Sequence, residues 1–277
     1  MDQRYQGPLF GRDVYLRKVG QFQGKKIWIT GASSGIGKAA AQAFSAMGAQ
    51  LLLSARRADV LQKVKKECAH PEHIEVLPLD MEQHIQSDQW VTKALEHLGA
   101  IDLLISNAGI GQSGTVLETT NEVERKIFEV NYHGHVALAK SLLPHLIEKN
   151  AGHIVAIGSI AGKFGQRKLA AYSASKAALI VYFESLKEEL KKTGIKVQVI
   201  SPGFINTEVT LNSLDAQGNP LQRNSKAQEN GMPADLFAQK LIRALESNRF
   251  HRYIGRKELL AVPLHALSPR LFYKLLG

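Results

Sequence analysis

A short apolar strand, Ile27-Trp28-Ile29-Thr30, runs directly into Gly31-Ala32-Ser33-Ser34-Gly35-Ile36-Gly37. A helix-forming stretch follows, from Lys38 to Met47, and Gly48 stops it. Strand, glycine turn and helix in that order constrain the chain more than any other feature. The glycines permit a tight turn and close backbone approach, and they leave helix N-terminal amides free to bind phosphate. The spacing is G-x-x-x-G-x-G rather than the commoner G-x-G-x-x-G. Glycines serving only as turn residues are the alternative reading.

The rest of the chain repeats the alternation of strand and helix. Strands are predicted at 51–55, 74–80, 101–106, 153–158 and 196–201, with a short seventh at 252–255. The run Ile101-Asp102-Leu103-Leu104-Ile105-Ser106 is nearly all apolar, as a parallel strand buried on both faces requires. Strands alternating with helices predict an α/β fold, a doubly wound parallel sheet with right-handed crossovers.

The chemistry lies in Tyr172-Ser173-Ala174-Ser175-Lys176. A phenol with an ordinary pKa near ~10 exchanges its proton poorly at neutral pH. Residues 171–190 hold no glycine or proline and read as a helix, so Lys176 falls one turn from Tyr172 on the same face. A cation there favours the phenolate and suits the tyrosine to acid–base work. Chance occurrence of Tyr and Lys at this spacing is the bland alternative.

With these segments stand Ser106-Asn107-Ala108-Gly109, Asn131, Gly158-Ser159-Ile160-Ala161-Gly162 and Pro202-Gly203-Phe204-Ile205-Asn206-Thr207. In this order, over roughly Lys25 to Glu246, the sequence resembles the short-chain dehydrogenases and reductases, in their compact single-domain branch. The resemblance implies a Rossmann-type sheet of about seven strands in one domain. It also implies a catalytic tetrad. Ser159 would bond the substrate carbonyl oxygen, Tyr172 would be the acid–base, and Lys176 would tune it and hold the nicotinamide ribose. Asn131 would hold a water that links the lysine to solvent. Cofactor contacts carried over in the same way are Gly31, Ser33, Ser34, Gly35, Ile36 and Gly37 in the glycine turn. Asp80 and Met81 would meet the adenine, and Asn107, Ala108 and Gly109 the cofactor edge. Pro202, Gly203, Ile205 and Thr207 would lie at the nicotinamide. Where the family commonly has Asn, this chain has Ser106, a mild change with no evident consequence.

The coenzyme is expected to be NADP(H). An acidic residue at the end of the second strand would accept from a free 2′-hydroxyl and repel a 2′-phosphate. Ala55 stands at the matching position, followed by Arg56 and Arg57, whose guanidinium groups suit a phosphate.

At 277 residues, with no linker or repeat, one catalytic domain is expected over 25–250, with a substrate lid at about 204–232. An N-terminal extension, 1–24, precedes it and an apolar, basic segment, 251–277, follows. No apolar run reaches the length of a spanning helix, and the first residues lack a secretory signal's apolar stretch. One cysteine, Cys68, allows no internal disulfide, so a cytoplasmic protein is expected.

The net charge of +10 is uneven, because residues 1–26 carry six Lys/Arg against two Asp and residues 249–277 carry six against one Glu. Nucleic-acid binding has little support, since neither basic end holds a recognition motif. The C-terminal run mixes bulky apolar residues with cations, and Pro263 and Pro269 divide it. It either closes the pocket, packs on a partner subunit or touches a membrane surface peripherally. His133 and His135 lack a third ligand nearby, and no metal is expected. The helical stretches 122–149 and 171–193 are expected to pair in a homodimer or homotetramer. The leading function is reduction of an apolar, steroid-like or lipidic carbonyl, or the reverse oxidation. Alternatives are a ketoacyl-carrier-protein reductase and a non-catalytic NADP-sensing protein.

Overall fold

The computed structural model describes residues 21–208, 213–222, 225–247 and 249–276. Most of the expected N-terminal extension, and residues 209–212 and 223–224 of the expected lid, lie outside them.

Seven parallel strands form one sheet in the order β3-β2-β1-β4-β5-β6-β9. They are β1 (Lys26–Thr30), β2 (Gln50–Ser54), β3 (Ile74–Val76), β4 (Leu103–Ser106), β5 (Gly152–Ile157), β6 (Ile195–Pro202) and β9 (His251–Ile254). A separate two-stranded pair, β7 (Ile205–Asn206) with β8 (Met232–Pro233), lies in the lid. The sheet's edge strand β9 falls in the segment 251–277. That segment therefore divides into a strand and, after it, a helical tail.

The strands show why parallel sheets need apolar runs. In β1, Ile27 and Ile29 enter one core with Leu51, Leu53, Leu103 and Ile105. Trp28 points the other way, into a second core with Leu52, Leu104, Ile154 and Ala156. Period-two alternation thus feeds two apolar layers, and neither face is left to solvent.

On the first face, α1 (Gly35–Ser45) and α8 (Ala234–Leu245) cover the sheet with Phe44, Phe237 and Leu241. The α2 helix (Ala58–Glu67) flanks them through Leu61 and Val64. On the second face lie α3 (Ser87–Leu98), α5 (Gly134–Lys149) and α6 (Ala170–Glu189). The short α4 (Asn121–Phe128) leads into α5 through a π-turn at Glu129–His133. In the lid, α7 (Lys226–Glu229) is one turn long. The tail ends in α9 (Ala261–Leu267) and α10 (Pro269–Leu276). Both prolines sit where their missing N–H costs little, Pro269 as the first residue of α10 and Pro263 in the first turn of α9.

The order of connection reverses between β1 and β4, so the crossovers on either side of that gap run to opposite faces. A crevice opens there, beyond the carboxyl ends of the strands.

Candidate active site

The crevice is a cleft of about 880 Å³. Its first wall is the glycine turn. Gly31 and Gly35 have φ of 66° and 52°, a left-handed backbone that glycine takes without strain. Gly37 is required for another reason, since a β-carbon there would lie 2.3 Å from the Gly31 carbonyl oxygen. At the N-cap of α1, Ser34 makes no side-chain capping bond, so the first amides of the helix keep their donors for a ligand.

The turn is fastened to the end of β4. Thr30 Oγ1 accepts from the backbone N–H groups of Asn107 at 3.0 Å and Ala108 at 3.1 Å. In return Asn107 Nδ2 donates to the carbonyl oxygens of Thr30 at 3.0 Å and Gly31 at 3.3 Å. The Asn107 side chain therefore shapes the glycine turn.

Behind Ala108 the structure supplies what sequence reading missed. His135 is fully buried. Its Nε2 donates to the Ala108 carbonyl oxygen at 2.7 Å, and its Nδ1 meets Ser106 Oγ at 2.6 Å. Because a carbonyl only accepts, Nε2 carries the proton and Nδ1 accepts from the serine hydroxyl. Burial, and next the nearby Lys176 cation, push the imidazole down to about 3. Ser106 thus has a consequence after all, since it orients the histidine that holds the Asn107-Ala108-Gly109 turn. Both ring nitrogens of His135 are engaged within the protein.

The opposite wall carries the chemistry. Ser159 ends the stretch after β5 and caps a 3-10 turn, Ile160–Lys163, accepting from Ala161 N–H at 3.1 Å. That turn lies flat on α6 because Gly162 has no side chain, a β-carbon there being 2.8 Å from the Lys176 carbonyl carbon. Tyr172, in the first turn of α6, comes to the same wall. Burial raises its phenol above the ordinary range, and a hydrogen bond from Ser159 partly offsets that. One turn on, Lys176 is 4% exposed and its Nζ donates to the Ile157 carbonyl oxygen at 2.9 Å. Burial pushes this ammonium down to about 8.

Asn131 stands behind that wall in the π-turn, a widening of the helix that recurs at functional sites. Its Oδ1 accepts from Ile110 N–H and its Nδ2 donates to Ile110 O, both at 2.9 Å. Nδ2 also reaches Ser175 Oγ at 3.3 Å. With the side-chain amide so engaged, Asn131 ties α6 to the loop after β4.

Most of the expected site residues line the one cleft. Gly31, Ser33, Ser34, Gly35 and Ile36 do so at the turn, and Arg56 and Arg57 at the end of β2. Asp80 and Met81 follow β3, and Asn107, Ala108 and Gly109 follow β4. Ser159, Tyr172 and Lys176 form the catalytic wall, while Pro202, Gly203, Ile205 and Thr207 close the far side. Gly37 and Asn131 are set back from the surface of the cleft. Ile160 and Leu169 lie on the wall, as an apolar pocket requires. Phe164 does not, because it turns away to pack on Phe272 with ring centroids 4.7 Å apart. Part of the lid is held by main-chain pairing, Ser113 N–H to Leu214 O at 2.8 Å and Leu214 N–H to Gly111 O at 3.0 Å.

A family model, short chain dehydrogenase, matches residues 25–218. The chain belongs to the short-chain dehydrogenase/reductase family. A dehydrogenase/reductase SDR family protein 7-like from Drosophila melanogaster is 38% identical over 232 residues, covering 81% of this chain and 71% of the relative. Dehydrogenase/reductase SDR family member 7B of Mus musculus is 34% identical over 277 residues, covering 95% and 83%. Among solved structures, a short-chain dehydrogenase from Streptomyces avermitilis superposes with a TM-score of 0.79 at 30% identity, covering 90% of this chain and 94% of that one. A short-chain dehydrogenase/reductase from Burkholderia phymatum, in complex with NAD, gives 0.81 at 25%, covering 90% and 95%. The protein is an oxidoreductase of this family with a nicotinamide-dinucleotide-binding fold.

Proposed function

We propose that the protein is an NADPH-dependent carbonyl reductase in which Ser159, Tyr172, Lys176 and Asn131 act together on an apolar ketone or aldehyde. The observation that carries the reading is the single cleft wall that Ser159, Tyr172 and Lys176 share, with the buried Lys176 ammonium one helical turn from the phenol.

The residues fit the dinucleotide. The glycine turn offers uncapped amides to a pyrophosphate, and a side chain at Gly31 would collide with Ala108 Cα at 2.8 Å. Arg56 and Arg57 line the cleft at the end of β2, where Ala55 leaves no carboxylate to repel a 2′-phosphate. The bound coenzyme supplies a hydride to the carbonyl carbon. Ser159 donates a hydrogen bond to the carbonyl oxygen and stabilises the negative charge growing there. Tyr172 gives its phenolic proton to that oxygen as it becomes an alkoxide. Lys176 stabilises the phenolate left behind, which offsets the burial that otherwise opposes its charge. Asn131 keeps the lysine's helix in register with the loop after β4. Any water-holding role falls to its main-chain oxygen, since the amide is engaged.

Ile110, Ile160, Leu169, Phe204 and Leu221 on the cleft wall support an apolar substrate. A complete set of reacting groups argues against a non-catalytic sensor. A ketoacyl-carrier-protein reductase is less favoured, because much of the excess positive charge lies at the termini. Exposed Ile147 on α5 and Val181 on α6 support pairing of these helices in a homo-oligomer.

The test is loss of reduced-nicotinamide absorbance over a panel of steroid, long-chain, aromatic and thioester carbonyls, with NADPH and NADH in parallel. Tyr172→Phe is expected to abolish turnover while NADPH still binds. Retained turnover in that variant overturns the mechanism.

A further inference from the structure

The C-terminal tail resolves into two faces, which the sequence alone left as competing readings. One face is anchored. Phe272 of α10 is 1% exposed, held between Phe164 and His265 with ring centroids at 4.7 and 5.1 Å. Ile160 completes this small core, and Tyr273 reaches the Gly165 carbonyl oxygen at 3.5 Å. The tail is therefore seated on the segment just before Gln166, Arg167, Lys168 and Leu169, which line the mouth of the cleft.

The other face is covered by nothing among the described residues. Leu260 is 70% exposed, Leu267 87% and Leu275 69%, with Leu271 exposed beside them. On α10, Leu271 and Leu275 lie one turn apart and form a stripe. Arg270 and Lys274, also one turn apart, form a second stripe next to it, and both are exposed. Arg256 and Lys257 add cations to the approach, and the only acid over 255–276 is Glu258. Its Oε1 is turned inward, accepting from Phe204 N–H at 3.0 Å and Arg256 N–H at 2.9 Å. Lys163, Arg167 and Lys168 are exposed on the loop beneath.

We propose that α9 and α10 dock the protein onto the surface of an anionic lipid bilayer, with the leucines in the headgroup–acyl boundary and the cations on the phosphates. Bulky apolar side chains beside cations, with the one acidic side chain over 255–276 held in backbone hydrogen bonds, match such an interface. Among the described residues no helix is long and apolar enough to cross a membrane, so the contact is interfacial. The anchored face places the cleft mouth beside that surface, where a carbonyl substrate dissolved in lipid would enter. The docking itself does not depend on the reductase reading.

The experiment is co-sedimentation of the full chain with vesicles of phosphatidylcholine alone and of phosphatidylcholine with phosphatidylserine. Wild type is expected to pellet with the anionic vesicles and weakly with the neutral ones. Leu267→Ser/Leu271→Ser/Leu275→Ser is expected to lose about tenfold or more in partition. Arg270→Glu/Lys274→Glu is expected to lose about 30-fold or more on anionic vesicles and little on neutral ones. These side chains are exposed, and unchanged urea unfolding establishes that the variants are folded. Wild type that stays in the supernatant with both vesicles overturns the proposal. So does an oligomer that the triple serine variant converts to monomer in sedimentation velocity without vesicles, since the leucines would then be a subunit contact.

Discussion

Replacing His135 by glutamine removes one titrating group from the core and leaves its two contacts available. A glutamine amide can donate to the Ala108 carbonyl oxygen and accept from the Ser106 hydroxyl as the imidazole does. In the folded protein His135 is pushed down to about 3 from the ordinary 6.5, so it stays neutral where the unfolded chain already takes up a proton. The stability tied to the neutral ring is thus complete above 6.5 and is lost as pH falls from there towards 3. One proton held by the unfolded state and not by the folded one weakens folding about tenfold per pH unit, so from about pH 8 to about pH 4.5 the loss is about 100-fold, about 3 kcal/mol. His135→Gln escapes that loss. His153, pushed to about 3, and His251, pushed to about 4, remain in both proteins and cancel in the difference. The assay is urea unfolding followed by tryptophan fluorescence, since Trp28 and Trp90 are both buried. The two proteins are expected to agree within about 1 kcal/mol at the higher pH and to separate by about 3 kcal/mol in favour of the variant at the lower one. A difference that is the same at both pH values refutes the neutral, hydrogen-bonded histidine.

Other outcomes follow from the site. The Lys176 ammonium, held down to about 8, is lost as pH rises through that value, so kcat/KM for carbonyl reduction is expected to fall about tenfold per pH unit above it. A flat profile in that range removes the lysine from the free-enzyme mechanism. Arg56→Asp removes a phosphate-binding group and adds repulsion, which is expected to shift the NADPH/NADH ratio of kcat/KM by about 100-fold towards NADH. An unchanged ratio misplaces the 2′-phosphate. In Gly109→Ala the new β-carbon stands 3.2 Å from Asn131 Oδ1 and 3.5 Å from Lys176 Nζ. That crowding is expected to lower kcat while urea stability changes by about 1 kcal/mol or less; wild-type kcat in the variant removes Gly109 from the lysine's setting.

The fold was legible because its signals are local. Gly31 and Gly35 take a backbone that other residues resist, and the inner strands β1, β2, β4 and β5 show the apolar run that a doubly covered sheet demands. Tyr172 and Lys176 were legible because helix geometry alone sets them one turn apart. What escaped depends on tertiary contact. Phe164 stands four residues from Ile160, yet the extended backbone after the 3-10 turn sends it away from the cleft to Phe272, more than a hundred residues on. The tail's two faces were invisible for the same reason, because a run of leucines does not show which of them finds a partner.

Ser106 and His135 make the sharper case. Each is unremarkable in sequence, and 29 residues separate them. The pair has meaning only once β4 and α5 are adjacent, where the Ala108 carbonyl fixes the tautomer and the serine hydroxyl donates to the ring nitrogen left bare. It also bears on charge. Lys176 is buried and its cation acts on His135, so a protonated imidazole here would set two positive groups against each other with little water to screen them. With Nε2–H committed to a carbonyl and Nδ1 to a hydroxyl, the ring has no site for a second proton unless Ser106 turns away. In this corner of the site the positive charge therefore rests on Lys176, one helical turn from the phenol that it is proposed to serve.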